Sequence, residues 1–128
     1  MTTPRKRNRA SAKGAGRQFE NDIAGYLNRH VDSRIERRRQ AGAKDRGDIT
    51  GLHHLTERVV VECKNVARPA LAKWAEEAEV ARGNDDANAA VVAHKRHGVA
   101  DPAQQWITMT LQEFVALLMG NREHVDEE

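Results

Sequence analysis

Two short strings in this chain bring carboxylates and a lysine together at strand spacing. The first is Gly47-Asp48-Ile49-Thr50; the second, after a spacer, is Val59-Val60-Val61-Glu62-Cys63-Lys64. Residues two apart on a strand share a face. Glu62 and Lys64 therefore point one way, and Val61 and Cys63 the other way, towards a helix-covered core. Paired as a hairpin, the two strings bring Asp48, near the start of one, close to Glu62, near the end of the other. Two carboxylates and an ammonium then converge on one patch. Carboxylates about a hydrogen-bond length apart do not both stay ionised cheaply unless a cation lies between them. Mg²⁺ is the hard, oxygen-seeking ion that such a patch suits, and Mn²⁺ is expected to substitute. Phosphodiester hydrolysis needs these parts: a cation to stabilise charge on phosphoryl oxygens and acidify a water, and a lysine to orient that water or offset charge in the transition state.

The elements that must position these groups read as follows. Residues 1–12 form a basic arm without apolar periodicity. From Arg17 to about His30, Phe19, Ile23, Tyr26 and Leu27 recur at helical spacing. Glu20 lies beside that apolar stripe, which turns it inward as a third candidate carboxylate. Arg34–Gln40 is extended in character, and a Gly/Ala/Lys loop follows to Gly47. Strands are expected at Asp48–Leu52 and Arg58–Lys64, with a polar connection around His53–Glu57. Pro69 stands where a first helical residue would, and Leu71, Trp74, Ala75 and Ala78 line one helical face up to a stop at Gly83. Asn88–Lys95 has a buried-strand pattern, and Trp106–Met109 is a further strand. Thr110-Leu111-Gln112-Glu113 has the form of a capping box opening a last helix through Leu118, with Gly120 as its stop. The order is α-β-β-β-α-β-β-α, an α/β domain with a mixed sheet flanked by helices. Residues 13–120 form the single domain, and 121–128 an acidic tail that frays from Glu123.

Composition agrees with one small domain built around a polar working surface. The chain has 128 residues, 39% of them hydrophobic but only 4% aromatic, against 31% charged. No run approaches the roughly 18 apolar residues of a membrane span, and the basic start lacks the apolar segment of a signal peptide. A single cysteine excludes an internal disulfide and a multi-cysteine zinc site, and fits a reducing cytoplasm. The net charge of +2 hides an asymmetry: residues 1–46 carry 13 Lys/Arg against 5 Asp/Glu, whereas residues 47–128 carry 8 against 14. A basic first part points to a polyanionic partner.

Asp48 followed by Glu62-Cys63-Lys64 at a strand end resembles the signature of the PD-(D/E)XK nuclease superfamily, with Gly47 in place of the proline. Lys13-Gly14-Ala15-Gly16-Arg17-Gln18-Phe19-Glu20 resembles the opening of archaeal-type and phage-encoded Holliday junction resolvases. Val91-Val92-Ala93-His94-Lys95-Arg96 resembles the strand that carries a basic residue after the second helix of that family. The resemblance runs from about Lys13 to Arg96. It implies a restriction-endonuclease-like fold and a metal-dependent endonuclease that resolves four-way DNA junctions in recombination and repair. Asp48 and Glu62 would bind metal, with the Cys63 backbone carbonyl as a further ligand. Glu20 would complete or support the metal site, and Lys64 would act on the nucleophilic water. A homodimer follows from two symmetric cuts needing two active sites. The location would be cytoplasmic, in a host cell if the chain is phage-encoded. Candidate contacts to branched or duplex DNA are Lys13, Arg17, Arg37, Arg38, Arg39, Lys44, Arg46, Lys95 and Arg96. The loop that carries a serine in the family corresponds here to Gln40–Arg46, which has none. Two competing readings are another repair or restriction-like nuclease of the superfamily, and an inactive DNA-binding module that keeps the fold.

Other signals read as structural. His53 and His54 are adjacent and so face opposite ways on a strand, which suits connection residues better than a metal pair. His94 and His97 straddle a strand end. Cys63 reads as a small buried hydrophobe, and Trp74 and Trp106 as core residues. Arg37, Arg38 and Arg39 alternate faces, so that only some of them reach one phosphate path together.

Overall fold

The computed structural model describes residues 9–39 and 42–125. Most of the arm at 1–8, Gln40-Ala41 of the loop, and 126–128 of the tail lie outside the described residues. Three helices and six strands make an α/β fold with a mixed open sheet. In chain order these are α1 (Arg9–His30), β1 (Glu36–Arg37), β2 (Ile49–Thr50), β3 (His53–His54), β4 (Glu57–Lys64), α2 (Leu71–Asn84), β5 (Ala89–His94), β6 (Trp106–Thr108) and α3 (Leu111–Met119). Among the described residues, no helix is long and apolar enough to cross a membrane.

The sheet runs β1-β2-β4-β5-β6, with β3 paired to the start of β4. β4 and β5 are parallel, with Glu62 opposite Val92 and Lys64 opposite His94; the other pairs are antiparallel. The alternation read from β4 has a direct physical consequence. Val59 and Val61 join Phe19, Ile23, Ile35 and Ile49 in a core under α1. Val60 joins Trp74, Ala78 and Ala81 in a second core under α2. Both sheet faces are therefore covered, and Glu62, expected on a working surface, is only 4% exposed.

Several boundaries depart from the sequence reading. α1 begins at Arg9, not near Arg17, and so absorbs the end of the expected arm. Its first turns are held by alanines of high helix propensity without an apolar stripe. His53 and His54 are not a connection but a two-residue strand on β4, turned by Leu55 and Thr56 at φ 51° and 67°. The strand order thus has one more member than expected. Pro69 stands outside α2, whose cap is Ala70, and Gly83 lies inside the helix, which ends at Asn84. Thr110 caps α3 as expected, accepting from the Glu113 N–H at 3.3 Å. Glu113 does not close the capping box. Its carboxylate accepts from Ala90 N–H at 3.0 Å and from Arg122 at 2.8 and 2.9 Å. Gly120 ends α3 in the left-handed region at φ 71°. Beyond it, Glu123–Val125 forms a 3₁₀ turn, where the start of a frayed tail was expected. Trp74 is buried, but Trp106 is half exposed under the Arg96 guanidinium, 5.0 Å from its ring, and is not core.

Candidate functional site

The site is built where β2 and β4 meet, at the C-terminal end of β4. The Asp48 N–H donates to Val61 O at 2.9 Å, and an Asp48 carboxylate oxygen accepts from the Cys63 N–H at 2.7 Å. Asp48 is thereby fixed beside Glu62, as the paired strings require. The backbone reaches this position through Gly47 at φ 95°. A side chain there would be strained by that conformation and would meet Val60 Cγ1 at 2.8 Å, which explains a glycine before the aspartate.

Glu20 reaches the same place from α1. Its carboxylate lies 3.6 Å from the Arg37 guanidinium and beside the Asp48 carboxylate. Burial holds Glu20 above the usual carboxylate range, and the Asp48 charge pushes it further, against the pull of Arg37. Asp48 is also raised, first by burial, with the Cys63 N–H acting against it and the Asp45 charge with it. Glu62 is pushed up to about 9 by burial and by the charges of Asp48 and Asp45. Its Oε1 is buried without a hydrogen-bond partner. The Cys63 thiol, partly buried against the α1 core, is held above its ordinary range by burial and the surrounding carboxylates.

Two contributors escaped the sequence reading. Asp45 lies with its carboxylate beside that of Glu62. It is placed by two contacts: its carboxylate accepts from Gly47 N–H at 2.8 Å, and its carbonyl from the Asn84 amide of α2 at 2.7 Å. Its position three residues before Asp48 was the available signal. Glu77 of α2 pairs with the Lys64 ammonium; only the packing of α2 on the sheet reveals it.

Glu20 and Asp48 open onto a groove of about 700 Å³ that is also lined by Lys13, Gly16, Arg17, Arg37, Arg38 and Arg39. A cavity of about 300 Å³ adjoins it through Arg38 and Arg39, and Lys44, Asp45 and Arg46 line its walls. Seven of the nine basic residues singled out from the sequence thus line two adjoining hollows. Arg37, Arg38 and Arg39 all line the larger groove, with Arg37 3.6 Å from Glu20 and Arg38 3.4 Å from Asp85 at the end of α2. Lys95 and Arg96 are not among the lining residues. The Lys95 ammonium donates to Val99 O, and Arg96 covers Trp106. His94 bonds Thr108 Oγ1 at 2.7 Å and packs on Trp74, a structural role.

Chemically, the cluster is an acidic floor under basic walls. Among the described residues, no three His, Cys, Asp or Glu side chains already form a metal-holding set. The donor chemistry nevertheless fits a hard cation: oxygen ligands only, protons retained first because burial disfavours the charged form and then because the carboxylates repel, and one buried oxygen with nothing to bond. No family model, curated protein or solved structure matches this chain.

Proposed function

We propose that this chain is a Mg²⁺-dependent DNA endonuclease of restriction-endonuclease-like fold, acting as a homodimer on four-way junctions as the resemblance to Holliday junction resolvases implies. The observation that carries the reading is the convergence of Glu20, Asp48 and Glu62 beside Lys64, with Glu20 and Asp48 at the floor of an arginine-lined groove and Glu62 buried next to them. A binding groove alone has no use for repelling carboxylates at its floor. Their own charge opposes a polyanion, and their burial opposes ionisation.

Asp48 and Glu62 would hold the cation, with the Cys63 backbone carbonyl as a further ligand and Glu20 in support. Bound there, Mg²⁺ supplies charge stabilisation at phosphoryl oxygens and an acidified water. The rest belongs to the chain. The Cys63 N–H fixes one Asp48 oxygen and so sets the orientation of the whole carboxylate. Arg37 keeps Glu20 turned to the floor. Lys13, Arg17 and Arg39 hold the phosphate path, and Lys64 offsets charge that develops during hydrolysis.

A second copy of the chain has an apolar surface available to it. Leu111, Phe114 and Leu118 form one stripe along α3 and are between 44% and 77% exposed.

The test is a substrate panel. A synthetic four-way junction, a matched duplex and single strands are incubated with the protein and Mg²⁺. Paired nicks in the junction, in excess over cuts in the duplex, support the full reading. Equal cutting of the duplex supports only a related nuclease, and binding without cutting supports the inactive module.

A further inference from the structure

Lys64 ends β4 with its backbone fixed and its side chain at a choice. Its carbonyl accepts from Lys95 N–H at 3.0 Å, and it stands opposite His94 in the parallel register. Two carboxylates lie within the reach of its four-carbon stem. Glu62 is two residues back on the same strand face, and Glu77 extends from α2. The ammonium pairs with Glu77, and Glu62 Oε1 keeps no partner.

Glu77 is well founded for such a task. It lies between Trp74 and Ala78, both buried in the α2 core, so its backbone moves only if α2 leaves the sheet. Its other cation, Lys73, is 4.0 Å away and 75% exposed. Pairs of that kind contribute little. The contact with Lys64 is more enclosed, the lysine side chain being 22% exposed. An ammonium is a compact charge on a flexible stem, and its position is set by whatever accepts from it.

We propose that Glu77 is a positioning residue for Lys64, holding the ammonium in one orientation at the edge of the Glu20–Asp48–Glu62 cluster. This rests on the nuclease reading above. It extends the active constellation to α2, a helix that none of the motif residues occupies. Without Glu77 the lysine stem samples several rotamers, or folds back onto Glu62 and competes for the oxygens of the floor. In either case the loss falls on the reaction step and not on DNA affinity.

The experiment pairs gel-shift affinity with single-turnover cleavage of a four-way junction at saturating protein. The proteins are wild type, Glu77→Gln, Glu77→Ala, Glu77→Asp, Lys64→Ala, and the double variant with Ala at both positions. Glu77→Gln keeps the side chain's shape, and melting curves verify that each variant is folded. Glu77→Gln and Glu77→Ala should slow cleavage by about tenfold to a hundredfold, in the range that a small misplacement of a reacting group costs. Their affinity should stay within about threefold of wild type, as expected where many charges share the binding, and Glu77→Asp should regain part of the rate. The double variant should be no slower than Lys64→Ala alone, because removing the support of an absent lysine has no further effect. Wild-type rates in both Glu77→Gln and Glu77→Ala, with Lys64→Ala slow, would overturn the positioning role and leave the nuclease reading standing. Losses that multiply in the double variant would also overturn it. A wild-type protein that cuts no DNA would remove both.

Discussion

The Asp48 carboxylate accepts a 2.7 Å hydrogen bond from the backbone N–H of Cys63, the residue between Glu62 and Lys64. One side chain thus ties the first string of the motif to the second. Asp48→Asn keeps an acceptor oxygen for that N–H, so its melting temperature should match wild type or exceed it as repulsion falls. Asp48→Ala leaves the N–H bare and should destabilise the protein by about 1–3 kcal/mol. Both should abolish cleavage. Thermal melts of the metal-free proteins check the first pair of outcomes, and equal stability of the two variants would contradict the bond's role.

The raised carboxylates make the metal-free fold sensitive to alkali. An unfolded chain releases the Glu62 proton near its ordinary value of 4.5, whereas the folded chain keeps it to about 9. Between these limits the folded state binds more protons, so stability should fall as pH rises, by up to about 1.4 kcal/mol per pH unit, and level off above 9. Asp48 and Glu20, also raised, act with the same sign. Urea midpoints from pH 5 to pH 9 should therefore decline, and Glu62→Gln should flatten the decline. A parallel decline in the variant would show that the slope comes from elsewhere.

Salt and substitution should separate the groove from its surroundings. DNA affinity should weaken steeply with salt, and Arg17→Ala or Arg39→Ala should each lower the log–log salt slope by about 1. Arg96→Ala should leave that slope nearly unchanged, because its guanidinium covers Trp106. Fluorescence anisotropy across a salt series measures all three. An Arg96 effect equal to that of Arg39 would place the phosphate path elsewhere.

At the far end of β5 from His94, Arg122 donates to Glu113 at 2.8 and 2.9 Å and to Asn88 O at 2.6 Å. Both partners are largely buried, at 17% and 9% side-chain exposure. Arg122→Ala leaves a buried carboxylate with its Ala90 N–H bond alone and should destabilise by about 3–5 kcal/mol. Denaturant unfolding measures this directly, and a loss within about 0.5 kcal/mol, as for an ordinary surface substitution, would contradict the network.

What was legible in the sequence was local. Val59-Val60-Val61 followed by Glu62 and Lys64 defined the strand and the face shared by its last two polar residues, because a period of two leaves no choice. Thr110 and Gly120 marked the ends of α3 through their own backbone chemistry. What was not legible depends on contacts between elements. The burial of Glu62 needs α2 on the second face, and Glu77 meets Lys64 only through that packing. Asp45 joins the cluster because its loop is tied to Asn84. The β3–β4 turn uses Leu55 and Thr56 at positive φ, where Asn-Gly or Asp-Gly would have announced a hairpin. The early start of α1 had alanines but no apolar stripe to mark it.

If Asp48 and Glu62 hold a catalytic divalent cation, single-turnover cleavage of one labelled four-way junction must depend on both carboxylates and on the ion. Wild type, Asp48→Asn and Glu62→Gln are compared at saturating protein, each with Mg²⁺ and with EDTA. Wild type should cleave in Mg²⁺ alone, with both variants folded, bound to the junction and inert. Cleavage by wild type in EDTA, or by either variant at the wild-type rate in Mg²⁺, would contradict that dependence.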